Sequence, residues 1–371
     1  AEQPDGSFTR TVVRRSTDDL PPGDLLIRVA YSSLNYKDAL AYQGHRGIVK
    51  KLPHIPGIDA AGTVVNSSSD QYRNGDQVLV TGYDLGQEHW GGWSELTRVP
   101  AEWIVPLPNS LTPREAMIYG TAGFTAAQSV MALQRNDVTP DMGEVVVTGA
   151  TGGVGSLAVR LLSQQGYEVV AVTGKADQHA ALLACGAKRV VGRTEIADES
   201  TRPLLSATWA GAIDTVGGPI LQSLLRSTRY GGCVTACGLV AGAELSMTVY
   251  PFLLRGVSLC GIASGDCPMA KRRKIWELLA GAWKPNNLDN LVSEVNLEQL
   301  PEQVLVTVES PVPLTALGWS INGGELKNER AKKIDDTHYE ALLVLDPKLP
   351  ADWTVIDVTA TFKDESTLNA K

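Results

Sequence analysis

Cysteine is absent from the first 120 residues of this 371-residue chain. The five that follow are Cys185, Cys233, Cys237, Cys260 and Cys267. Their number is odd and no two are spaced Cys-x-x-Cys, which argues against a disulfide framework and for a reducing compartment. No run approaches the roughly 18 apolar residues of a membrane helix, so no membrane partner is expected. The first ten residues, AEQPDGSFTR, carry no apolar secretion core, and the expected location is cytoplasmic. Positive charge is not in excess: 33 Lys and Arg face 41 Asp and Glu, for a formal net charge of −8. That excludes an extended nucleic-acid surface but leaves room for a local basic pocket. Repeats and low-complexity segments are also missing.

What remains is ordinary soluble composition, 43% hydrophobic and 20% charged, in a length suited to two or three domains. Residues 1–120 are β-rich and punctuated by Gly and Pro, as in PPGD, IPGIDAAG and HWGGW, with strands expected at 25–31 and 78–81. This predicts a compact β-barrel. Residues 143–264 alternate short apolar runs with helical patterns. Strands are expected at 144–148, 168–172, 189–191, 211–215, 232–237 and 257–263, and helices at 155–165, 177–185 and 219–227. Such alternation predicts a parallel, doubly wound sheet. Residues 265–304 are expected to be helical, with a basic helix at 271–279. Beyond them strand patterns return at 305–308, 317–321, 339–345 and 353–362, with a hairpin turn at 322–324. The expected organisation is a catalytic β-barrel domain (1–122), a nucleotide-binding domain (123–264), a return to the catalytic domain (265–304) and an all-β tail (305–371).

The strongest motif is VVVTGATGGVGS at 145–156, a buried strand running through glycines into a helix. Ala150, Gly152 and Gly155 match the spacing of a dinucleotide fingerprint, with Ala at the first position. Gly152 lets the backbone approach a pyrophosphate, Gly155 lets the helix pack on the strand, and the helix N-terminus attracts negative charge. The alternative is a βα turn without a ligand. The next strand ends in Thr173-Gly174-Lys175, with no acid where an NAD site holds its ribose. A lysine there attracts a 2′-phosphate, which favours NADPH over NADH. Arg193, after the third strand, is a second candidate for that phosphate. Either cation could instead be a solvated surface group.

A catalytic zinc needs three protein ligands. The first 120 residues offer only His45, His54 and His89, and Ile58 stands where a zinc-type sequence has histidine, so no metal site is expected. Chemistry without a Lewis acid favours conjugate reduction, in which hydrogen bonds stabilise the developing enolate.

Seven segments in order carry a family resemblance: SSLNYKDAL (32–40), PHIPGIDAAG (53–62), TGYDLGQEHWGG (81–92), GTAGFT (120–125), the glycine motif, WAGAIDTVG (209–217) and YGGCVTACGL (230–239). Over roughly residues 8–300 the chain resembles the zinc-free, quinone-oxidoreductase-like branch of the medium-chain dehydrogenases/reductases. Within that branch it is most similar to the acrylyl-CoA reductases, which reduce acryloyl-CoA to propanoyl-CoA with NADPH. The resemblance implies an α/β chain with a GroES-like β-barrel catalytic domain and a doubly wound Rossmann domain. It implies a CoA thioester substrate and a homodimer joined through the nucleotide-binding sheets. It places Tyr36 beside the nicotinamide and Asn35 at the reacting carbonyl. It puts Thr151, Gly152, Gly153, Val154 and Gly155 at the pyrophosphate, and Thr173, Gly174, Lys175 and Arg193 at the adenosine phosphate. Leu239, Leu253 and Ser264 would line the nicotinamide half.

The resemblance ends near residue 300, where the family's closing helix and Gly-Arg strand have no counterpart. The β-rich tail then reads as a fused binding or structural module, or as the product of an altered reading frame or assembly. The expected reaction delivers hydride to the β-carbon of the activated alkene and a proton to the α-carbon. Tyr36 is a candidate proton donor, or it only shapes the pocket. Arg46, Lys50 and Lys51, and the run Lys271-Arg272-Arg273-Lys274, could meet CoA phosphates or form solvated faces. Residues 89–93 (HWGGW) form a pocket wall or barrel packing, and Cys233 and Cys237 read as core. A quinone or alkenal reductase, and a non-catalytic NADPH-binding protein with a β interaction module, are the competing functions.

Overall fold

The computed structural model describes residues 12–285, 288, 292 and 294–297, together with the backbone of seven strands between 306 and 370. The N-terminal part is built on one antiparallel sheet. Its elements are β1 (Leu25–Tyr31), α1 (Tyr36–Tyr42), β2 (Asp59–Ser67), β3 (Gln77–Thr81), β4 (Leu96–Val99) and β5 (Val105–Pro106). The strand order is β4-β1-β2-β3-β5. Alternation in β1 buries Leu25 and Ile27 while Arg28 faces water. Those two join Val64, Val78 and Val80 in one apolar cluster.

Sequence patterning missed the element that joins the two halves, α2 (Pro113–Arg135). Its start is well marked. Thr112 caps it by accepting from Glu115 N, Glu115 caps Thr112 in return, and Pro113 occupies the first turn. The helix bends at Gly120, whose φ of +48° interrupts it. The expected boundary at residue 122 lies two residues beyond that break. Helix α2 packs on β2 and β3 at one end and on the second sheet and its first helix farther along.

The second sheet comprises β6 (Val145–Val147), β7 (Val169–Val172), β8 (Arg189–Val191), β9 (Trp209–Asp214), β10 (Thr228–Ala236) and β11 (Ser258–Gly261). All its pairings are parallel, in the order β11-β10-β9-β6-β7-β8. Helices α3 (Gly153–Gln164), α4 (His179–Ala184), α5 (Gly218–Ser227) and α6 (Tyr250–Arg255) connect the strands. This is a doubly wound sheet whose order reverses between β6 and β9, and the crevice beyond their C-terminal ends is where such folds take ligands. Every residue of β6, β7 and β9 is buried, as both-face coverage requires. The chain then returns through α7 (Met269–Ala280), which sets Trp276 against Phe124 of α2, with ring centroids 6.1 Å apart.

Beyond residue 305, backbone pairing forms two sheets. One is ordered β12-β16-β15 and the other β14-β13-β17-β18. The strands are β12 (Val306–Glu309), β13 (Leu314–Ile321), β14 (Lys327–Glu329), β15 (Lys332–Lys333), β16 (His338–Ala341), β17 (Ile356–Phe362) and β18 (Thr367–Ala370). The turn expected at 322–324 lies outside the described residues. No described helix is long and apolar enough to cross a membrane.

Candidate active site

The glycine motif lies at the switch point. Strand β6 ends at Val147, Gly149 turns with φ +55°, and Gly152 precedes the first turn of α3. No side chain caps α3. Its first amides are left for a ligand, at the positive end of a helix 12 residues long. A Cβ on Gly155 would lie 2.3 Å from Gly149 O and 2.8 Å from Ala150 Cα, so only glycine lets the helix close on the loop. At Gly152 the nearest atom would be 3.3 Å away and the constraint is milder. The cradle fits a pyrophosphate: bare backbone, tight curvature and a positive helix end.

Beside it lies a cavity lined by Thr148, Gly149, Thr151, Val172, Thr173, Gly174, Lys175, Arg193, Val216 and Ile220. Thr151, the run Thr173-Gly174-Lys175 and Arg193, which follow β6, β7 and β8, are thereby brought to one cavity. Thr173 Oγ1 accepts from Lys175 N at 3.1 Å, which shapes the turn that delivers the lysine.

The floor of this crevice is held by Asp214, a residue the sequence argument passed over. Its Oδ1 accepts from Thr148 Oγ1 at 2.7 Å and its Oδ2 from Gly217 N at 2.7 Å. Thr215 N donates to Thr148 Oγ1 at 2.9 Å. One fully buried carboxylate thus ties the ends of β6 and β9 together. Burial pushes its pKa upward, against the pull of these donors.

Between the two domains runs a cleft of about 630 Å³. Asn35, Trp93, Met117 and Ala122 line it from the barrel side, and Gly153 and Ser156 of α3 from the other. Behind Asn35 stands a buried network of two aspartates. Asp59 accepts from Thr121 Oγ1 (2.6 Å), Thr121 N (2.8 Å) and Asn35 Nδ2 (2.8 Å). Asp38 accepts from Asn35 N (2.8 Å), Ile58 N (2.8 Å), Gly57 N (3.0 Å) and Asn35 Nδ2 (3.3 Å). Burial, then the charge of Asp59, raises Asp38 to about 7. Burial raises Asp59 as well.

The two carboxylates fix the orientation of the Asn35 amide. Its Nδ2 donates to both of them. The same network explains Gly120. A Cβ there would lie 2.2 Å from Ser33 Oγ and 2.7 Å from Asp59 Oδ2. Asn35, Ile58 and Thr121, drawn from three of the quoted motifs, are cross-linked here by carboxylates. No group of three or more His, Cys, Asp or Glu among the described residues is placed to hold a metal.

The other expected residues are more scattered. Tyr36 opens α1 and is 72% exposed, outside both cavity linings. Leu239 and Leu253 are also exposed, at 66% and 74%. Ser264 follows β11, and its carbonyl accepts from Arg272 Nη2 at 3.0 Å. Arg272 itself is fully buried, so the run at 271–274 is not a uniform solvated or phosphate-binding face. The periodicity of α7 turns this one cation inward. Lys50 is ion-paired with Glu88. The segment at 89–93 serves two purposes: His89 packs edge-on against Trp103, while Gly92 and Trp93 line the cleft. Cys233 is buried, with its sulfur 3.7 Å from that of Cys260.

A glycine cradle at the switch point of a doubly wound sheet, facing a barrel across a cleft, defines a two-domain dinucleotide-dependent oxidoreductase. Residues 21–109 match the alcohol dehydrogenase GroES-like domain family, and residues 153–281 the zinc-binding dehydrogenase family. The putative quinone oxidoreductase YhfP of Bacillus subtilis is 50% identical over 287 residues, covering 77% of this chain and 87% of that protein. Its structure with NAD bound superposes with a TM-score of 0.79, at 48% identity over 81% of this chain and 92% of that one. The acrylyl-CoA reductase AcuI of Ruegeria pomeroyi is 47% identical over 300 residues, 81% of this chain and 91% of that protein. The yhdH oxidoreductase from Salmonella enterica, solved in complex with NADP, gives a TM-score of 0.78 at 47% identity, covering 81% of this chain and 92% of that one. The chain belongs to the zinc-free, quinone-oxidoreductase-like branch of the medium-chain dehydrogenases/reductases.

Proposed function

We propose that the protein reduces the activated C=C bond of a short enoyl-CoA with NADPH, converting acryloyl-CoA to propanoyl-CoA. The observation that carries the cofactor is the cavity in which Lys175 and Arg193 stand beside the glycine cradle, with no acid at the end of β7. Two cations there favour a 2′-phosphate that an acid would repel. When bound, NADPH supplies a hydride for the β-carbon of the substrate. The chain's own residues bind and orient. The amides at the start of α3 hold the pyrophosphate and Asp214 sets the crevice. The Asp38–Asn35–Asp59 network fixes the cleft wall beside Ala122 and Gly153. Leu239, Leu253 and Ser264 are assigned to the nicotinamide half. Tyr36, exposed at the start of α1, or a water, supplies the proton to the α-carbon.

The acyl-CoA substrate is favoured by the similarity to AcuI. The similarity to YhfP favours a second reading, quinone reduction on the same scaffold. Following NADPH oxidation with acryloyl-CoA, and separately with a quinone, distinguishes the two. Rapid turnover of acryloyl-CoA with formation of propanoyl-CoA is expected. Turnover of the quinone alone supports the second reading. NADPH binding without turnover of either supports a non-catalytic role. A homodimer is proposed through β11, the edge strand of that sheet among the described residues, where Leu259 on the strand and Tyr250 and Leu254 on α6 are exposed.

A further inference from the structure

Arg272 is fully buried, and among the described residues no carboxylate is hydrogen-bonded to it. Its Nη1 donates to Thr81 O at 2.7 Å and to Thr81 Oγ1 at 2.8 Å. Its Nη2 donates to Ser264 O at 3.0 Å and to Gly265 O at 2.7 Å. The guanidinium lies over the rings of Tyr83 and Phe124, 4.5 Å and 4.9 Å from their centroids. Carbonyl dipoles and ring faces, rather than a counter-ion, offset its desolvation. Nε has no acceptor among the described residues. A buried cation kept on these terms is costly, so what it joins matters.

It joins three segments to α7. Thr81 ends β3 in the barrel, and Tyr83 follows it. Phe124 lies in α2, just beyond the bend. Ser264 and Gly265 follow β11 at the C-terminal edge of the parallel sheet, the side on which such sheets take nucleotides. The contact is tight around the guanidinium. Tyr83 N donates to Gly265 O at 3.2 Å, and a Cβ on Gly82 would lie 2.9 Å from that same oxygen. The chain leaves the nucleotide-binding sheet here, so this is a covalent crossing between the domains. Only a guanidinium reaches all these acceptors at once. A lysine ammonium is a point donor on a flexible stem.

We infer that Arg272 is a positioning residue for the cofactor. It pins the crossing at Ser264–Gly265 to the end of β3 and so sets the barrel against the nucleotide crevice. The inference rests on the NADPH reading above. It separates two parts of the bound molecule. The adenosine end meets only the Lys175 and Arg193 cavity, which the pin does not touch. The whole dinucleotide spans from there to the crossing.

The test is calorimetric titration of wild type and Arg272→Lys with 2′,5′-ADP and with NADPH. The lysine variant is expected to bind 2′,5′-ADP as wild type does and NADPH about tenfold more weakly, the loss of roughly one hydrogen bond to a charged donor. Equal weakening of both ligands in a cooperatively folded variant overturns the inference, as does an unchanged NADPH affinity. If Arg272→Lys does not fold, Thr81→Val supplies the same comparison with the pin still present. It deletes one of the four contacts, and a loss of about threefold confined to NADPH is expected. Equal affinity for NADPH in that variant overturns the inference. Failure of 2′,5′-ADP to bind the wild type would instead refute the cofactor reading itself.

Discussion

Replacing Gly155 with alanine puts the glycine cradle to a direct test. The added Cβ would sit 2.3 Å from Gly149 O and 2.8 Å from Ala150 Cα, where ordinary contact begins near 3.4 Å. Both neighbours are backbone, so no side chain can swing aside, and loop and helix must part by about an ångström. Overpacking of this kind costs about 1–3 kcal/mol, offset by about 1 kcal/mol from the better helix propensity of alanine. The net change in stability is small. Ligand affinity suffers more, because a displacement of that size breaks at least one charge-assisted amide–phosphate bond, worth about 1.5–3 kcal/mol. Calorimetry should show NADPH binding weakened roughly tenfold to a hundredfold. Gly166→Ala is the control. Gly166 has φ +84° with nothing within 4 Å of its Cβ position, so alanine there costs only backbone strain of about 1–2 kcal/mol. NADPH binding should be untouched in that variant. Gly155→Ala binding NADPH within twofold of wild type would refute the argument.

Three other outcomes are expected. Lys175→Ala should weaken NADPH about tenfold and leave NADH unaffected, because only the 2′-phosphate is lost to it; equal weakening of both cofactors would place the lysine elsewhere. Asp38, raised to about 7 from 3.8, binds its proton more tightly in the folded state. Its contribution to stability therefore falls as pH rises between those values and is constant above them. Asp38→Asn lacks this dependence. Urea unfolding at about pH 5 and about pH 7 should show wild type losing roughly 2 kcal/mol relative to the variant, and parallel pH profiles would contradict the burial argument. Tyr36→Phe should lower turnover strongly while leaving NADPH affinity intact if its hydroxyl is the proton donor, and unchanged turnover removes it from the proton path.

Much of this architecture was readable in the chain because local and global signals agree. The run 189–191 is a strand as expected, and the strand at 25–31 alternates as a half-buried strand must. The phosphate loop was legible because glycine at Gly155 answers a backbone approach that no other residue permits. Helix α2 was not, although Thr112, Pro113 and Glu115 spell out its start. Its glycines and small residues read as barrel turns, and the bend at Gly120 breaks the periodicity. The aspartates were missed for a different reason. Asp38, Asp59 and Asp214 each bond partners 19 to 66 residues away in the sequence, and an acid's burial is invisible until those segments meet. Arg272 was hidden by its neighbours, since a run of four cations looks solvated unless helical phase singles one out.

Calorimetric titration of the folded, chelator-treated protein with NADPH and then NADH probes the core of the account. Tight binding of NADPH, with NADH at least about tenfold weaker, is the predicted result. A cooperatively folded sample that takes up neither nucleotide, or that prefers NADH, contradicts it.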